Sequence, residues 1–196
     1  MMAKKNQLTT SDYLEYSEYE RLLQLLHDDK KYIWELYSRL SFCTACRVSD
    51  VLNLHWKDIL DKDQVTVLEI KTGKLRSIKF NASVKKKTNE LYRLLGSPSI
   101  EEHIFQTNRS KGAFTKQYIN RKLKEFKSKY RINIGNFSTH TFRKTFGRYV
   151  YEANNRSEES LILLCKVLNH SSTAITKTYI GIRQDEIDNI FDSIKF

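Results

Sequence analysis

The chain has 196 residues, enough for one domain with a buried core and too few for two full domains. Lys and Arg number 34 and Asp and Glu 23, so the formal net charge is +11. This surplus favours a polyanionic partner, nucleic acid ahead of an acidic membrane surface. No stretch is apolar for long enough to cross a bilayer, and the first residues lack the apolar core of a signal peptide, so we expect a cytoplasmic protein with no membrane partner.

The first third of the chain carries helical patterns. Residues 1–12 are polar and show no apolar periodicity, which predicts a flexible N-terminal arm or linker. Ser17 and Glu20 have the spacing of a capping box at the start of a short amphipathic helix. A more apolar helix is expected from residue 31 to about residue 45, and Ser49 is a candidate cap for a third helix.

A β-hairpin is predicted next. Residues 65–70 and 75–80 are rich in β-branched side chains and partly alternate between apolar and polar. The connection between them places Lys71 at the tip. A lysine at such a position can swing its ammonium group into a neighbouring site, although most hairpin lysines only keep an exposed turn soluble.

The second half is again helical. A helix is predicted over residues 82–95, Thr115 caps a long one, and Ser157 begins another that ends near Leu168. The final residues, 184–196, form an amphipathic helix that can dock on its own domain or on a neighbour. The face of the Thr115 helix that points away from the core is basic, and it carries Lys116, Arg121, Lys122, Lys124, Lys127 and Lys129. Such a face is usually only solvated, but in a chain this basic it can also follow phosphates.

Two arginines stand where oxyanions bind. His140 and Arg143 are three residues apart in a predicted helix, so an imidazole and a guanidinium group share one face. Arg47 lies in the turn before a helix N-terminus, where the helix dipole favours an anion. Each position also has an ordinary interpretation. His140 and Arg143 can be solvent-exposed residues without a function, and Arg47 can pair with Asp50 at the surface.

His170 and Tyr179 complete the set of candidates. Asn169, a residue that tolerates the left-handed conformation, precedes His170 at a helix end, and Tyr179 follows nine residues later. Glycine-rich phosphate loops and carboxylate clusters suited to two metal ions are absent from the sequence. Chemistry in this chain therefore has to come from Arg, Lys, His and Tyr, and we expect neither a metal nor another cofactor.

In this order and spacing the candidates resemble the tyrosine recombinase (phage integrase) family, over roughly residues 14–182. Its catalytic domain carries an arginine, a hairpin lysine, a His-x-x-Arg pair, a second histidine and a tyrosine, which match Arg47, Lys71, His140, Arg143, His170 and Tyr179. The resemblance implies a mainly α-helical fold with a small antiparallel β-sheet, the integrase catalytic-domain fold. It places the catalytic domain at residues 13–183, with 184–196 as a C-terminal helix that can be exchanged between protomers.

The resemblance also implies the reaction. Arg47 and Arg143 would clamp the non-bridging oxygens of one DNA phosphate, and Tyr179 would attack its phosphorus to form a 3′-phosphotyrosyl link. Because that link keeps the energy of the broken bond, no ATP is required, and the two guanidinium groups do the work of a metal ion. The expected activity is site-specific recombination, with integration, excision or inversion of a mobile or phase-variable element as outcome.

Four further residues receive roles by the same resemblance. Lys71 would protonate the departing 5′ oxygen, His140 would assist proton transfer at the tyrosine, and His170 would bond a phosphate oxygen. Asp50 is expected to support the first arginine, where the family usually has a glutamate.

The partner implied is double-stranded DNA that carries recombination sites. The chain would be a monomer when free, a homo-oligomer, namely a tetramer, on DNA, and associated with the nucleoid. The basic residues expected to contact the DNA outside the reacting phosphate are Lys74, Lys116, Arg121, Lys122 and Lys144.

Departures from the family pattern leave alternatives open. Ala45 and Cys46 replace the usual Gly-Leu, and Asn169 replaces a glycine. Most members also carry an N-terminal DNA-clamping domain, so this sequence is either the catalytic part of a longer integrase or a short recombinase that resembles the fimbrial invertases. A type IB-like topoisomerase shares the same catalytic groups, and a non-catalytic DNA-binding relative would share the fold.

Overall fold

The computed structural model describes residues 11–107, 112–182 and 190–195. Within these ranges the chain is mainly α-helical with one small antiparallel sheet, which confirms the predicted fold class. In chain order the elements are α1 Tyr16–Asp28, α2 Tyr32–Thr44, α3 Val48–Leu52, α4 Trp56–Ile59, β1 Gln64–Leu68, β2 Leu75–Lys79, α5 Ala82–Leu94, α6 Lys116–Tyr130, α7 Thr141–Ala153, α8 Glu158–Val167 and α9 Thr173–Ile180.

Helix α2 lies at the centre and packs against α1, α5 and α7. Its Tyr37 is 1% exposed and meets two phenylalanines nearly edge-on, with ring centroids 5.5 Å from Phe105 and 6.0 Å from Phe142. Edge-to-face contacts of buried aromatic rings are favourable and hold the rings in fixed orientations. Since Phe142 lies in the first turn of α7, the central helix fixes the position of that turn, which also carries Arg143.

The hairpin pairs β1 with β2 in antiparallel register, with Val65 opposite Ile78 and Leu68 opposite Leu75. Alternation along β1 buries Val65 and Val67 and exposes their neighbours. The strands are shorter than predicted, because after Leu68 the chain closes a turn. Gly73, at φ 65°, donates its N–H to the carbonyl oxygen of Glu69 at 2.8 Å, and glycine takes this φ without a steric cost.

Of the four predicted helix caps, the structure confirms two. Thr115 and Ser157 cap α6 and α8 as predicted, accepting hydrogen bonds from Tyr118 N at 3.1 Å and Ser160 N at 3.2 Å. The predicted capping box of Ser17 was wrong, because Ser17 lies inside α1. Leu14, 1% exposed, is held by a hydrogen bond to Thr145, so the chain turns into the helix earlier.

The cap predicted at Ser49 was also wrong. Arg47 occupies the N-cap position of α3, in an extended conformation, and Ser49 lies within the helix. The catalytic candidate is therefore itself the residue from which this short helix starts.

The start of the packed region also differs from the prediction. Ser11 and Asp12, assigned to the flexible arm, lie against the loop and helix that carry the His-x-x-Arg pair. The Ser11 hydroxyl is 3.0 Å from that of Thr141, and Asp12 N donates to Asn136 O at 3.1 Å. The prediction of a flexible arm is wrong for these two residues; its first ten positions lie outside the described residues.

Residues 184–189 and 196 of the predicted terminal helix also lie outside the described residues. Ile190, Phe191 and Ile194 are described, and they are 63%, 67% and 56% exposed. In the described part of the chain no helix combines the length and the apolar character needed to span a bilayer.

Candidate active site

Four pieces of chain meet at the candidate site. Arg47 stands between α2 and α3, Arg143 in the first turn of α7, His170 just after α8, and Tyr179 in the last turn of α9. Helices α7, α8 and α9 pack against one another and α2 packs against both α3 and α7, so residues scattered over the sequence converge.

Arg143 is the buried centre of the site. It is 4% exposed, and its Nη2 donates to the carbonyl oxygen of Leu168 at 2.6 Å. Its Nη1 is buried and forms no hydrogen bond within the residues that the structure describes. A buried donor without a partner costs about 1–3 kcal/mol. An oxyanion that reached Nη1 would remove this cost, which makes Arg143 a ready anion-binding group.

Tyr179 lies beside both Arg143 and His170. The guanidinium carbon of Arg143 is 5.8 Å from the centroid of the Tyr179 ring, and the His170 ring meets the same ring edge-on at a centroid distance of 5.0 Å. The His170 Nδ1 is 3.1 Å from the hydroxyl oxygen of Thr176, a residue of the same helix as Tyr179. In the described part of the chain the Tyr179 hydroxyl is buried within reach of the Arg143 guanidinium group, without a well-formed hydrogen bond.

Arg47 does not pair with Asp50, so that ordinary interpretation was wrong. Its Nη1 donates to Glu69 Oε2 at 2.8 Å, and its side chain is 20% exposed. Asp50 is 1% exposed and accepts a hydrogen bond from Ile70 N at 3.0 Å, which ties α3 to the hairpin. Asp50 thus contacts the hairpin backbone and not Arg47.

Glu69 was not among the residues predicted for the site. Its carboxylate is 1% exposed and accepts hydrogen bonds from Arg47, from the Thr72 hydroxyl at 2.7 Å and from Asn169 Nδ2 at 2.9 Å. The sequence did hold a signal, because the alternation that buries Val65 and Val67 places Glu69 on the same inward face. A carboxylate at an inward position needs cationic or hydrogen-bonding partners.

Lys71 and His140 lie at the edges of this arrangement. Lys71 is exposed in the turn of the hairpin, two residues after Glu69, as predicted. His140 is half-buried and occupies the N-cap position of α7, so the helix begins one residue after the histidine.

The site concentrates positive charge around neutral imidazoles. Burial, followed by the charges of Arg143 and Arg47, lowers the pKa of His170 to about 4. Burial, followed by Lys116 and Arg143, lowers the pKa of His140 to about 4. Burial also lowers the pKa of Arg143 and raises that of Tyr179, where both arginines oppose the rise. Such a site favours an anion and keeps the phenol protonated in its absence.

The basic residues predicted to contact DNA fall into two groups. Lys74, Lys116 and Arg121 are exposed, Lys122 is partly exposed, and Arg121 lies over the ring of Tyr118. Lys144 is different: it is 6% exposed, donates to the carbonyl oxygen of Ser11 at 2.7 Å, and lies 5.3 Å from the centroid of the Tyr179 ring. Lys144 therefore lies beside Tyr179 and not on the exposed basic surface.

We expect the stability of the protein to fall as the pH drops from about 6.5 to 4. The folded pKa of His170 is about 4, below the ordinary value of 6.5, so the unfolded chain binds more protons in this window. Since one pKa unit corresponds to about 1.4 kcal/mol, His170 contributes at most about 3 kcal/mol, which is present above pH 6.5 and lost towards pH 4. Thermal unfolding followed at several pH values measures this loss.

His170→Gln is the matched variant for this measurement, because it lacks the titrating group. The decrease in melting temperature between pH 7 and pH 5 is expected to be smaller in His170→Gln than in the parent chain. Equal decreases would show that His170 titrates normally in the folded protein.

Comparison with known proteins places this geometry in a family. Residues 12–186 match the phage integrase family. The probable integrase/recombinase YoeC of Bacillus subtilis (strain 168) is 32% identical over 171 residues, which cover 84% of this chain and 90% of YoeC.

Solved structures with the same fold include several recombinases. The crystal structure of XerA recombinase matches with a TM-score of 0.70 at 21% identity and covers 100% of this chain and 68% of that one. A post-cleavage complex of the XerH site-specific recombinase on a palindromic difH substrate matches with a TM-score of 0.68 at 18% identity, over 97% of this chain and 55% of that one. A lambda integrase dimer bound to a COC′ core site matches with a TM-score of 0.65 at 20% identity and covers 93% of this chain and 63% of that one.

The extent of the family match, the identity to YoeC and the shared fold lead to one conclusion: this chain belongs to the phage integrase family and carries a tyrosine recombinase catalytic domain.

Proposed function

We propose that this chain is a site-specific DNA recombinase that cuts and rejoins strands through a covalent link between Tyr179 and a DNA 3′ phosphate. The observation that carries the proposal is the meeting of Arg143, with an unpartnered buried Nη1 among the described residues, and the His170 ring beside Tyr179. A guanidinium fork and an imidazole around one phenol are suited to phosphoryl transfer without a resident metal ion.

The reaction begins with the phosphate bound between Arg47 and Arg143. Their guanidinium groups hold the non-bridging oxygens and stabilise the extra negative charge of the five-coordinate transition state. The phenol oxygen of Tyr179 forms a bond to phosphorus, and the bond from phosphorus to the 5′ oxygen breaks. Rejoining is the reverse: a 5′ hydroxyl of another strand attacks the phosphotyrosine and releases Tyr179, so no ATP is consumed.

Proton transfers accompany both steps. Lys71, exposed on the hairpin, protonates the leaving 5′ oxygen. His140 takes part in removing the proton of Tyr179, and His170 holds a phosphate oxygen. Because the Tyr179 hydroxyl is buried in the free protein, binding of DNA has to turn this hydroxyl towards the phosphate before attack.

The DNA on either side of the reacting phosphate lies against exposed basic residues in this proposal: Lys74, Lys116, Arg121 and Lys122. In the matching structures XerH is bound to its difH substrate, and lambda integrase is a dimer bound to a core site. By analogy the partner of this chain is a pair of double-stranded recombination sites. The active assembly is a homotetramer that forms on DNA from free monomers, in the cytoplasm at the nucleoid.

Domain organisation follows from the same assignment. Residues 13–183 act as the catalytic domain, and the residues after 183 pass to an adjacent protomer. The exposed apolar side chains of Ile190, Phe191 and Ile194 support this exchange, because a neighbouring surface would remove them from water.

The test is a nicked suicide duplex that carries the ends of the DNA element adjoining the gene for this chain. Cleavage next to the nick releases a short oligonucleotide, so the reverse reaction cannot occur and the covalent complex accumulates. We expect a protein–DNA adduct that survives denaturation, with the DNA attached to the peptide that contains Tyr179. An adduct at another residue, or no adduct on any element end, would contradict the proposal.

A further inference from the structure

The carboxylate of Glu69 connects three separate parts of the site. Through Oε2 it accepts hydrogen bonds from Arg47 Nη1 at 2.8 Å, the Thr72 hydroxyl at 2.7 Å and Asn169 Nδ2 at 2.9 Å. Arg76 Nη1 is 3.9 Å from the other oxygen. These partners belong to the turn before α3, the tip of the hairpin and the residue before His170.

We propose that Glu69 is a positioning residue for strand cleavage, which holds Arg47, the turn of Lys71 and the segment of His170 in one arrangement around the phosphate. This role rests on the proposed recombinase function. Glu69 itself does not touch the DNA in this arrangement, because its side chain is 1% exposed.

Arg47 gains a fixed direction from this contact. A guanidinium group carries five N–H donors in a rigid plane, and the structure occupies Nη1 with Glu69 Oε2 while the side chain remains 20% exposed. A buried carboxylate that holds one edge leaves the other edge of the plane for the phosphate. Without it, Arg47 would be free to take up other rotamers, and positioning within about 1 Å strongly affects rate.

The hairpin turn depends on Glu69 at two levels. Its carbonyl oxygen accepts hydrogen bonds from Thr72 N at 3.2 Å and from Gly73 N at 2.8 Å, and its carboxylate binds the Thr72 hydroxyl. Lys71 lies between Glu69 and Thr72, so both ends of its short segment are held. The backbone that carries Lys71 is therefore held by the same residue that binds Arg47.

Asn169 completes the connection. It has φ 51°, the left-handed conformation in which the family usually has glycine, and its side-chain amide reaches Glu69. A glycine would allow the same backbone but offer no donor to the carboxylate. The asparagine thus links the segment that bears His170 to the hairpin, and it accounts for this departure from the family pattern.

The opposite role, in which Glu69 competes with phosphate for Arg47 and restrains the free enzyme, fits the structure less well. Burial raises the pKa of the Glu69 carboxyl, but the hydrogen bonds from Thr72, Asn169 and Arg47 outweigh it and bring the pKa down to about 2. A carboxylate with three donors and almost no solvent contact is a permanent partner of Arg47. The two roles predict opposite effects of removing the charge.

The experiment measures single-turnover cleavage of the suicide duplex at saturating DNA for Glu69→Gln, Glu69→Ala and Asn169→Gly. DNA affinity is measured separately with each change placed in Tyr179→Phe. We expect cleavage to fall about 10- to 100-fold in Glu69→Gln, further in Glu69→Ala, and about 5-fold in Asn169→Gly, with affinity changed less than about threefold. Asn169→Gly is expected to have little further effect in the Glu69→Ala background, since both act through one contact.

Glu35→Gln is the matched control. Glu35 is also buried, and it binds Arg39 Nε and His27 Nδ1, each at 2.8 Å, but it lies outside the candidate site. It is expected to lose thermal stability while cleaving at the rate of the unchanged protein. Equal losses of cleavage in the two Gln variants would reduce Glu69 to a structural residue and overturn the inference.

A cleavage rate of Glu69→Gln equal to or above that of the parent protein would also overturn the positioning role. The recombinase function would then stand, because the parent protein forms the adduct. Additive effects of Glu69→Ala and Asn169→Gly would contradict the shared contact. If the unchanged protein formed no adduct, the proposed function would fail and the positioning role with it.

Discussion

Replacing Tyr179 with phenylalanine is expected to abolish the covalent adduct with DNA, a loss of at least about 1,000-fold, because the phenol oxygen is the atom that bonds to phosphorus. Noncovalent binding to the same duplex is expected to stay within about threefold. Arg47, Arg143 and the basic surface, which bind the DNA backbone in the proposed mechanism, are unchanged by the substitution.

The same substitution should leave the fold intact or slightly more stable. Within the described residues the Tyr179 hydroxyl is buried beside Arg143 without a well-formed hydrogen bond, so it recovers little of a desolvation cost of about 1–3 kcal/mol. Phenylalanine removes this group but keeps the ring that His170 and Arg143 contact. A melting temperature equal to or above that of the parent chain is therefore the expected result. It would show that the Tyr179 hydroxyl, which activity requires, does not stabilise the fold.

Tyr149→Phe is the control, since Tyr149 lies on the adjacent helix α7 and is 40% exposed, away from the reacting groups. It should form the adduct at the parent rate. An adduct that persists in Tyr179→Phe and disappears in another tyrosine variant would move the nucleophile elsewhere. A lower melting temperature of Tyr179→Phe would mean that the hydroxyl has a stabilising partner.

Much of the fold could be predicted from the sequence, because local patterns determine it. Apolar side chains that recur at the helical period located the long helices, and Thr115 and Ser157 marked the starts of two of them. The β-branched segments around Lys71 gave the hairpin. Arg143, His170 and Tyr179 were found through their spacing, and the structure brings these three together.

The errors have a common physical origin, namely contacts between distant parts of the chain. Ser17 has the spacing of a cap, but the hydrogen bond of Leu14 N to Thr145 starts the helix earlier. Lys144 is an ordinary basic residue in the sequence. In the structure it is buried, and it donates a hydrogen bond to the carbonyl oxygen of the distant Ser11. Glu69 has three partners, at positions as far apart as 47 and 169. Alternation indicated that Glu69 points inward, but not which groups it meets.

Arg143→Lys is expected to lower single-turnover cleavage by about 1,000-fold at saturating DNA. Arg143 holds the carbonyl oxygen of Leu168 with one nitrogen and offers another, buried one to the phosphate. Lysine has a single ammonium group, so it cannot do both, and it carries no planar fork to match two phosphate oxygens. The lost interaction is strongest in the transition state, where the negative charge on the non-bridging phosphate oxygens is greatest, so the rate should fall far more than the DNA affinity.

Arg148→Lys is the control that separates the loss of phosphate binding from a loss of packing in α7. Arg148 lies on the same helix, is 7% exposed, donates to Glu152 at 2.6 Å and covers the ring of Tyr13. We expect Arg148→Lys to lose stability and to retain most of its cleavage rate, and Arg143→Lys to lose the cleavage rate even where both melt at the same temperature. Similar cleavage rates in the two variants would mean that α7 needs its arginines for packing alone. Retention of a tenth or more of the rate by Arg143→Lys would mean that a point charge suffices, and the phosphate would then be gripped chiefly by Arg47.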